Sequence, residues 1–245
     1  MIEVQDLRKA FGAKQAVDGV SFVARDGEIT GLLGANGAGK TTTLRMLYTL
    51  MRPDAGRISV DGLDAGRDPQ AVRRRLGVLP DARGLYRRLT ARENIAYFAA
   101  LQGLDAQAAA QRTELLLSTL SMQDIADRRT EGFSHGERLK TALARALIHE
   151  PGNVLLDEPT NGLDVMSTRS LREFLRGLKA QGRCVLFSTH VMQEVAALCD
   201  HIVIIARGRV VADGTPDALR ERARESSLEE AFVQLIGSAA LEGMA

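Results

Sequence analysis

One stretch of the sequence, residues 34–41, restricts the fold of this chain more than any other feature. It reads GANGAGKT and matches the complete pattern G-x-x-x-x-G-K-[ST]. The short apolar run EITGLL precedes it, and KTTTLRMLYTLM, which has helical spacing, follows it. A strand, a glycine-rich loop and a helix in this order open a βαβ unit, in which backbone N–H groups and the helix N-terminus surround an anion. The pattern therefore predicts a site for nucleotide phosphates.

The positions of this loop have defined roles in phosphate binding. Lys40 is expected to reach the β- and γ-phosphates, and the hydroxyl of Thr41 is expected to bind Mg²⁺. The alternative interpretation is a glycine-rich loop that binds no ligand, and the strand and helix signals on either side favour the phosphate site. The other candidates for contact with the nucleotide are Gly34, Asn36, Gly37, Ala38, Gly39 and Thr42.

Two further apolar runs end in residues that suit phosphate chemistry. NVLLDEP brings Asp157 to the carboxyl end of a predicted strand, where open α/β sheets bind ligands, so we expect Asp157 to hold Mg²⁺ directly or through water. Glu158 follows and is a candidate to orient or deprotonate an attacking water. His190 ends the run VLFSTH; an isolated histidine is often structural, but a place at the same sheet edge favours contact with the γ-phosphate. Together with the phosphate loop, these residues predict nucleoside triphosphate hydrolysis.

The order of strand and helix signals predicts an α/β fold. IEVQDL, GVSFVA and RISVDG are strand patterns in the first third of the chain, and the runs within NVLLDEP, RCVLFSTH and HIVIIA alternate with helical patterns. Such alternation is typical of a largely parallel sheet covered on both faces. Between about residues 81 and 131 the pattern is helical, with a capping box at Thr90 and Glu93.

Composition limits the class of protein. A chain of 245 residues, 45% hydrophobic and with net charge +1, suits one globular domain and gives no bulk field for nucleic acid. The two cysteines have no metal-binding spacing and favour a reducing compartment. The charged N-terminus is unlike a signal peptide, and no uncharged apolar run reaches the roughly 18 residues of a membrane span. Any work at a membrane is therefore expected to need spans from another chain.

The stretch GFSHG, residues 132–136, allows two interpretations. It fits G-x-S-x-G, the nucleophile elbow of serine hydrolases, and the order Ser134, Asp157, His190 is that of their triad. However, an elbow needs a buried strand before the serine, and the preceding DIADRRTE carries five charges. The favoured interpretation is a second anion site, made by the Ser134 hydroxyl and a glycine N–H at the start of a helix. Two phosphate sites far apart in one chain favour a head-to-tail dimer.

Five motifs together resemble the nucleotide-binding subunits of ABC transporters over nearly the whole chain. GANGAGKTT is similar to their Walker A loop, NVLLDEP to Walker B, FSHGE to the signature motif, NGLD to the D-loop, and His190 to the switch histidine. The resemblance implies ATP and Mg²⁺ as cofactors and a P-loop NTPase core with an N-terminal antiparallel β subdomain. It implies a single domain, 1–245, with core and β subdomain at 1–80 and 133–214, helical subdomain at 81–132 and C-terminal helical tail at 215–245.

The resemblance also implies roles for residues outside the phosphate loop. Phe11 matches the aromatic that stacks on adenine, with an ordinary core aromatic as the alternative. Asp81 stands where the family has the Q-loop glutamine and is a candidate Mg²⁺ ligand. The family's usual glycine is His135 here, and its frequent glutamine is Glu137. The nucleotide-binding set that the signature motif and D-loop add is Ser134, Gly136, Glu137 and Asp164.

Among subfamilies, GVLPDARGLYRRLTARENI and SLEEAFVQLIG are most similar to exporters, especially the sodium-extruding, NatA-type ATPases. This similarity implies ATP-driven export of Na⁺, a drug-like molecule or another small solute through an integral membrane permease, by a homodimer or another cassette dimer at the cytoplasmic face of the membrane. A soluble ATPase of the same cassette type, with an assembly or regulatory role, is the alternative. A GTPase is disfavoured because no N-K-x-D motif is present.

Overall fold

The computed structural model describes residues 1–81 and 84–242, and the side chains of 238–242 lie outside the description. Within these residues the strands are β1 (Ile2–Phe11), β2 (Lys14–Ala24), β3 (Ile29–Leu33), β4 (Ala55–Val60), β5 (Leu63–Asp64), β6 (Leu76–Leu79), β7 (Asn153–Asp157), β8 (Cys184–Thr189), β9 (His201–Ala206) and β10 (Arg209–Gly214). The helices are α1 (Lys40–Leu47), α2 (Pro69–Arg75), α3 (Ala91–Leu101), α4 (Ala106–Thr119), α5 (His135–Leu147), α6 (Val165–Ala180), α7 (Met192–Leu198), α8 (Pro216–Ala223) and α9 (Leu228–Glu242).

The larger sheet of the described chain has the order β10-β9-β3-β8-β7-β6. The strands β9, β3, β8, β7 and β6 run parallel, and β10 adds an antiparallel edge. The phosphate loop leaves the carboxyl end of β3, in the middle of this sheet, and Asp157 ends the nearby β7. The α/β class predicted from the sequence is confirmed. The sequence reasoning missed β10, because its exposed and half-buried residues lack the apolar run that marks the other strands.

A second, antiparallel sheet contains the first strands of the chain, in the order β2-β1-β4-β5. The hairpin of β1 and β2 pairs Phe11 with Lys14, so both residues sit at one end of this sheet. This confirms the predicted N-terminal antiparallel β subdomain.

The helices begin where the sequence supplies caps. Thr90 and Glu93 form the predicted capping box at the start of α3, and Asp105 caps α4. The apolar face of α5 is buried and comprises Leu139, Ala142, Leu143, Ala146 and Leu147. Helices α3 and α4 lie within the predicted helical segment, but its boundaries at 81 and 132 stay a prediction.

Two apolar clusters cover the two faces of the parallel sheet. Successive side chains of β8 show this division, since Leu186 lies in the cluster shared with α1 and the antiparallel sheet, and Phe187 lies in the cluster shared with α3 to α9. Burial on both faces explains why the strand runs are continuously apolar rather than alternating. No helix among the described residues is long and apolar enough to span a membrane.

Candidate functional site

The glycine-rich loop wraps around the ammonium group of Lys40. This group is buried and donates hydrogen bonds to the backbone carbonyl oxygens of Gly34, at 2.7 Å, and Ala35, at 3.3 Å. The loop therefore fixes the one cation at its centre, at the start of α1. A helix N-terminus with such a cation attracts the phosphate groups of a nucleotide.

Gly39 shows why this loop needs glycine. Its φ is +111°, and a Cβ atom built there would lie 2.6 Å from the backbone oxygen of Ala16. Both the left-handed backbone and the contact with β2 exclude a side chain. The loop is thus held against the antiparallel sheet, and Ala16 forms part of the same cavity.

Asp157 is a buried carboxylate held by two hydroxyl groups. Its Oδ1 accepts hydrogen bonds from Ser188 Oγ, at 2.6 Å, and from Thr41 Oγ1, at 3.2 Å. Burial raises the pKa of Asp157 above its ordinary value, the two hydroxyl groups partly offset the rise, and the charges of Asp81 and Glu158 add to it. Oxygen ligands with excess negative charge, next to a phosphate loop, are the donor set that Mg²⁺ prefers. Thr41 and Asp157, with Asp81 nearby, therefore fit a divalent cation.

Glu158 is held between two basic groups. One carboxylate oxygen lies 3.4 Å from Lys40 Nζ, and the other lies 2.9 Å from His190 Nδ1. The backbone of Glu158 is left-handed, with φ +48°, and its N–H donates to Ser188 Oγ at 3.0 Å. Such backbone strain in a residue other than glycine or asparagine is common at functional sites. The arrangement points the carboxylate to the space beside the phosphate loop.

These residues surround one cavity of about 400 Å³ at the carboxyl edge of the parallel sheet. Phe11 is 49% exposed at its rim, which excludes the alternative of a core aromatic. Asp81 also lines it. Gly34, Ala38 and Asp157 do not line the cavity and lie behind it, where they contact Lys40, the loop backbone and Thr41. The lining residues are Phe11, Lys14, Ala16, Asn36, Gly37, Gly39, Lys40, Thr41, Thr42, Asp81, Glu158, Asn161 and His190.

Ser134 lies outside the residues that line this cavity and starts α5. Its hydroxyl accepts a hydrogen bond from the N–H of Glu137 at 3.2 Å, and its own N–H donates to the Glu137 carboxylate at 2.7 Å, which forms a capping box. The hydrogen bond from Ser134 and the nearby Arg128 hold the pKa of Glu137 below its usual range. Ser134 is exposed.

The serine hydrolase alternative is wrong. A 3-10 turn, Thr130–Gly132, precedes Ser134, where a nucleophile elbow requires a buried strand. The three residues of the supposed triad also have other partners: Ser134 caps α5, Asp157 contacts Thr41 and Ser188, and His190 contacts Glu158. Among the described residues, Ser134 has no contact that would activate its hydroxyl as a nucleophile.

The remaining predicted residues lie in or next to the Ser134 turn (residues 134–137). A Cβ on Gly136 would lie 3.3 Å from Ser167 Oγ, and Asp164 caps α6 by accepting hydrogen bonds from the N–H and hydroxyl of Ser167. His135 Nε2 lies 2.7 Å from the carbonyl oxygen of Asn161. The structure therefore groups the predicted site residues into two sets, one around the cavity and one at the start of α5 and α6.

Sequence reasoning missed three residues of the cavity region. Ser188 stands beside Asp157 because β7 and β8 are paired in parallel, which only the register reveals. Lys14 reaches the rim because it is paired with Phe11 across the first hairpin. Asn161 lies in NGLD and its side chain had no assigned role. One signal was available and overlooked, since Ser134 and Glu137 fit the S-x-x-E pattern of a capping box.

Comparison with known proteins identifies the family of this chain. Residues 17–161 match the family described as ABC transporter. The chain is 44% identical over 238 residues to the ABC transporter ATP-binding protein NatA of Bacillus subtilis, covering 95% of this chain and 97% of that protein. It is 42% identical over 220 residues to the Nod factor export ATP-binding protein I of Burkholderia lata, covering 90% of this chain and 72% of that protein.

Solved structures share the fold. An ATP-binding subunit of an ABC transporter is similar at a TM-score of 0.88 with 34% identity, covering 96% of this chain and 99% of that chain. A dimeric ATP-binding cassette bound to ADP and Pi is similar at a TM-score of 0.80 with 23% identity, covering 88% and 98%, which is a likeness of fold. With a family match over more than half of its length and relatives above 40% identity, the chain belongs to the ABC transporter family as one of its ATP-binding cassettes, which are ATPases.

Proposed function

We propose that this chain is the ATP-hydrolysing subunit of an ABC exporter and drives solute movement through a separate membrane subunit by ATP-dependent dimerisation. The observation that supports this most is the convergence of Lys40, Glu158 and His190 on one cavity, next to the Thr41–Asp157 pair. A second phosphate-binding turn, at Ser134, stays outside that cavity and is exposed. One copy thus provides half of one site at its cavity and half of another site at its Ser134 turn.

Nucleotide binding uses the loop and the first hairpin. The Lys40 ammonium and the backbone N–H groups from Gly34 to Thr42 bind the β- and γ-phosphates. These N–H groups include those of Asn36, Gly37, Ala38 and Gly39. The exposed ring of Phe11 stacks on the adenine. Lys14, paired with Phe11, adds positive charge at the same rim.

Hydrolysis uses the carboxylates at the sheet edge. Thr41 and Asp157, with Asp81, would hold Mg²⁺, which would neutralise charge on the phosphate oxygens when bound. Glu158 orients a water and accepts its proton, and His190, 2.9 Å from that carboxylate, fixes its orientation and contacts the γ-phosphate. Lys40 stabilises the charge that develops on the phosphate oxygens.

A second copy completes each site. Ser134, Gly136 and Glu137 at the start of α5, with Asp164 at the start of α6, meet the nucleotide held by the other copy's loop. ATP contacts both copies only when they are closed together, so it favours the closed dimer by its differential affinity. Hydrolysis removes the γ-phosphate contact and allows the dimer to reopen.

The direction and cargo follow from similarity. The relatives include a Nod factor export ATP-binding protein, which supports export. The similarity of the sequence motifs to sodium-extruding ATPases supports Na⁺, with a drug-like molecule or another small solute as the alternatives. The permease partner places the subunit at the cytoplasmic face of a membrane. Co-purification with an integral membrane protein supports this function, whereas purification with soluble partners alone favours an assembly or regulatory ATPase.

Substitution Glu158→Gln tests the chemistry. The amide keeps the shape of the carboxylate but cannot accept a proton from water, so we expect turnover to fall about 10²- to 10⁴-fold while ATP binding persists. The measurements are phosphate release and size-exclusion chromatography with and without ATP. The exposed Glu173 offers a matched control. Glu173→Gln makes the same change of side chain at a residue that pairs with Arg169 on α6 and does not line the cavity. Full turnover by Glu158→Gln, or no ATP-dependent dimer under any condition, contradicts the proposal.

A further inference from the structure

His135 connects the Ser134 turn with the loop of residues 158–164, which begins at Glu158. It is the first residue of α5, so the Ser134–Glu137 capping box fixes its backbone. Its Nε2 lies 2.7 Å from the carbonyl oxygen of Asn161. A carbonyl oxygen only accepts hydrogen bonds, so Nε2 carries a proton and donates it to this bond. The contact links two segments that are 26 residues apart in sequence.

Close packing at two further points keeps the turn and the loop in register. Gly162 has φ +72°, and a Cβ built there would lie 3.1 Å from His135 Nε2. On the other side, Gly136 packs against Ser167, whose hydroxyl Asp164 holds at 2.9 Å. The turn thus contacts both this loop and the helix start that the loop leads into.

The same loop reaches the nucleotide cavity. Asn161 lines that cavity, and its N–H donates to the carbonyl oxygen of Glu158 at 3.2 Å. The Glu158 side chain contacts Lys40 and His190 inside the cavity. From Glu158 to His135 the path therefore consists of one short hydrogen-bonded loop and one imidazole contact.

We infer that His135 is a positioning residue, whose hydrogen bond to Asn161 makes the placement of the Ser134 turn depend on the occupancy of the cavity in its own chain. The inference rests on the proposed function, in which the turn contacts the ATP of a second copy. Each cavity of a dimer then influences the other through its own loop and His135.

Two substitutions of His135 separate the hydrogen bond from the fold. His135→Ala removes the donor, and His135→Gln restores an amide N–H at a similar reach. His201→Ala is the matched control, since it removes an imidazole that pairs with Asp213 at the amino end of β9, the sheet edge opposite the cavity. For each full-length protein the measurements are the melting temperature, the affinity of the isolated subunit for a fluorescent ATP analogue, and kcat and the Hill coefficient for ATP.

For His135→Ala we expect kcat to fall about three- to tenfold, the effect of one net hydrogen bond. We expect the Hill coefficient to fall toward 1 from a value of up to about 2, the number of sites. The affinity of the isolated subunit and the melting temperature stay as in the unchanged protein, because the cavity and the capping box are intact. We expect His135→Gln to keep most of the kcat and of the Hill coefficient of the unchanged protein. We expect His201→Ala to change neither quantity.

Three results overturn the inference. His135→Ala with unchanged kcat and cooperativity removes the coupling role. His135→Gln as impaired as His135→Ala shows that the hydrogen bond is not the cause. If kcat, the affinity of the isolated subunit and the melting temperature all fall in His135→Ala, His135 has a role in folding only. Failure of the unchanged protein to hydrolyse ATP or dimerise is a different outcome, since it overturns the proposed function itself and the inference with it.

Discussion

At the scale of single residues, the charge of Asp157 lowers the stability of the protein and is needed for the proposed binding of a cation. The carboxylate is buried at the end of β7, and burial raises its pKa. A carboxyl whose native pKa exceeds its unfolded value of 3.8 contributes stability below that pH, and the contribution is lost as pH rises through the native pKa. At neutral pH the ionised Asp157 therefore destabilises the nucleotide-free protein. The charge is retained where a cation is proposed to bind.

Substitution Asp157→Asn is expected to raise the melting temperature of the nucleotide-free protein at pH 7 by a few degrees. The amide oxygen still accepts from Thr41 and Ser188, and the buried charge is gone. The gain disappears at low pH, where Asp157 itself is protonated. We expect the same variant to lose Mg²⁺-dependent hydrolysis by about 100-fold or more, since a cation ligand is lost. Calorimetry across pH and phosphate release measure the two effects.

Asp164 supplies the control of opposite sign. Hydrogen bonds from the N–H and hydroxyl of Ser167 lower its pKa, so its ionised form contributes stability above pH 3.8, and this is lost as pH falls through the native pKa. Asp164→Asn is expected to leave the melting temperature at pH 7 unchanged or lower it. A higher melting temperature for Asp164→Asn, or a lower one for Asp157→Asn, contradicts the account of buried charge.

At the scale of elements, two helices begin with the same device. Ser134 and Glu137 form a capping box at α5, and Thr90 and Glu93 form one at α3. Each serine or threonine hydroxyl accepts an N–H that the first turn of a helix leaves without a partner. Both helices thus begin with a capping box, and only the capping box of α5 belongs to the proposed dimer contact.

The pair Ser134→Ala and Thr90→Ala separates capping from nucleotide contact. Each substitution removes a cap and is expected to lower the free energy of unfolding by about 1 kcal/mol, measured by urea denaturation. Only Ser134→Ala is expected to reduce ATP-dependent dimerisation and turnover, by about tenfold or more, because it also removes the phosphate donor. Equal losses of turnover in the two variants, or none in Ser134→Ala, contradict the proposed role of Ser134.

At the scale of the whole molecule, the parallel sheet brings together residues from distant parts of the sequence. The loop after β3, the end of β7 and the end of β8 lie on neighbouring strands, so Lys40, Glu158 and His190 meet at one edge. The antiparallel sheet adds Phe11 to the rim of the same cavity. A nucleotide in this cavity would connect both sheets, so its binding stabilises the fold as a whole.

We expect Mg²⁺ and ATP to raise the melting temperature of Glu158→Gln, which leaves bound ATP intact. At ATP 100-fold above its dissociation constant the stabilisation is about 2.7 kcal/mol, or about 5–10 °C for a chain of this length. The same scan with Lys40→Ala as a second substitution is expected to show little shift, because the phosphate-binding cation is lost. Equal shifts with and without Lys40 place the nucleotide elsewhere.

The α/β class, the phosphate loop and the places of Asp157 and Glu158 after an apolar run could be predicted from the sequence, because apolar runs and glycine spacing act locally and are visible in neighbouring residues. Which side chains share a cavity could be found only from the folded structure. Ser188 became a partner of Asp157 through strand register, Phe11 proved to be a rim residue through the hairpin, and His135 reached Asn161 through helix packing. These are contacts between segments far apart in the chain, and their geometry depends on the whole fold rather than on any local pattern.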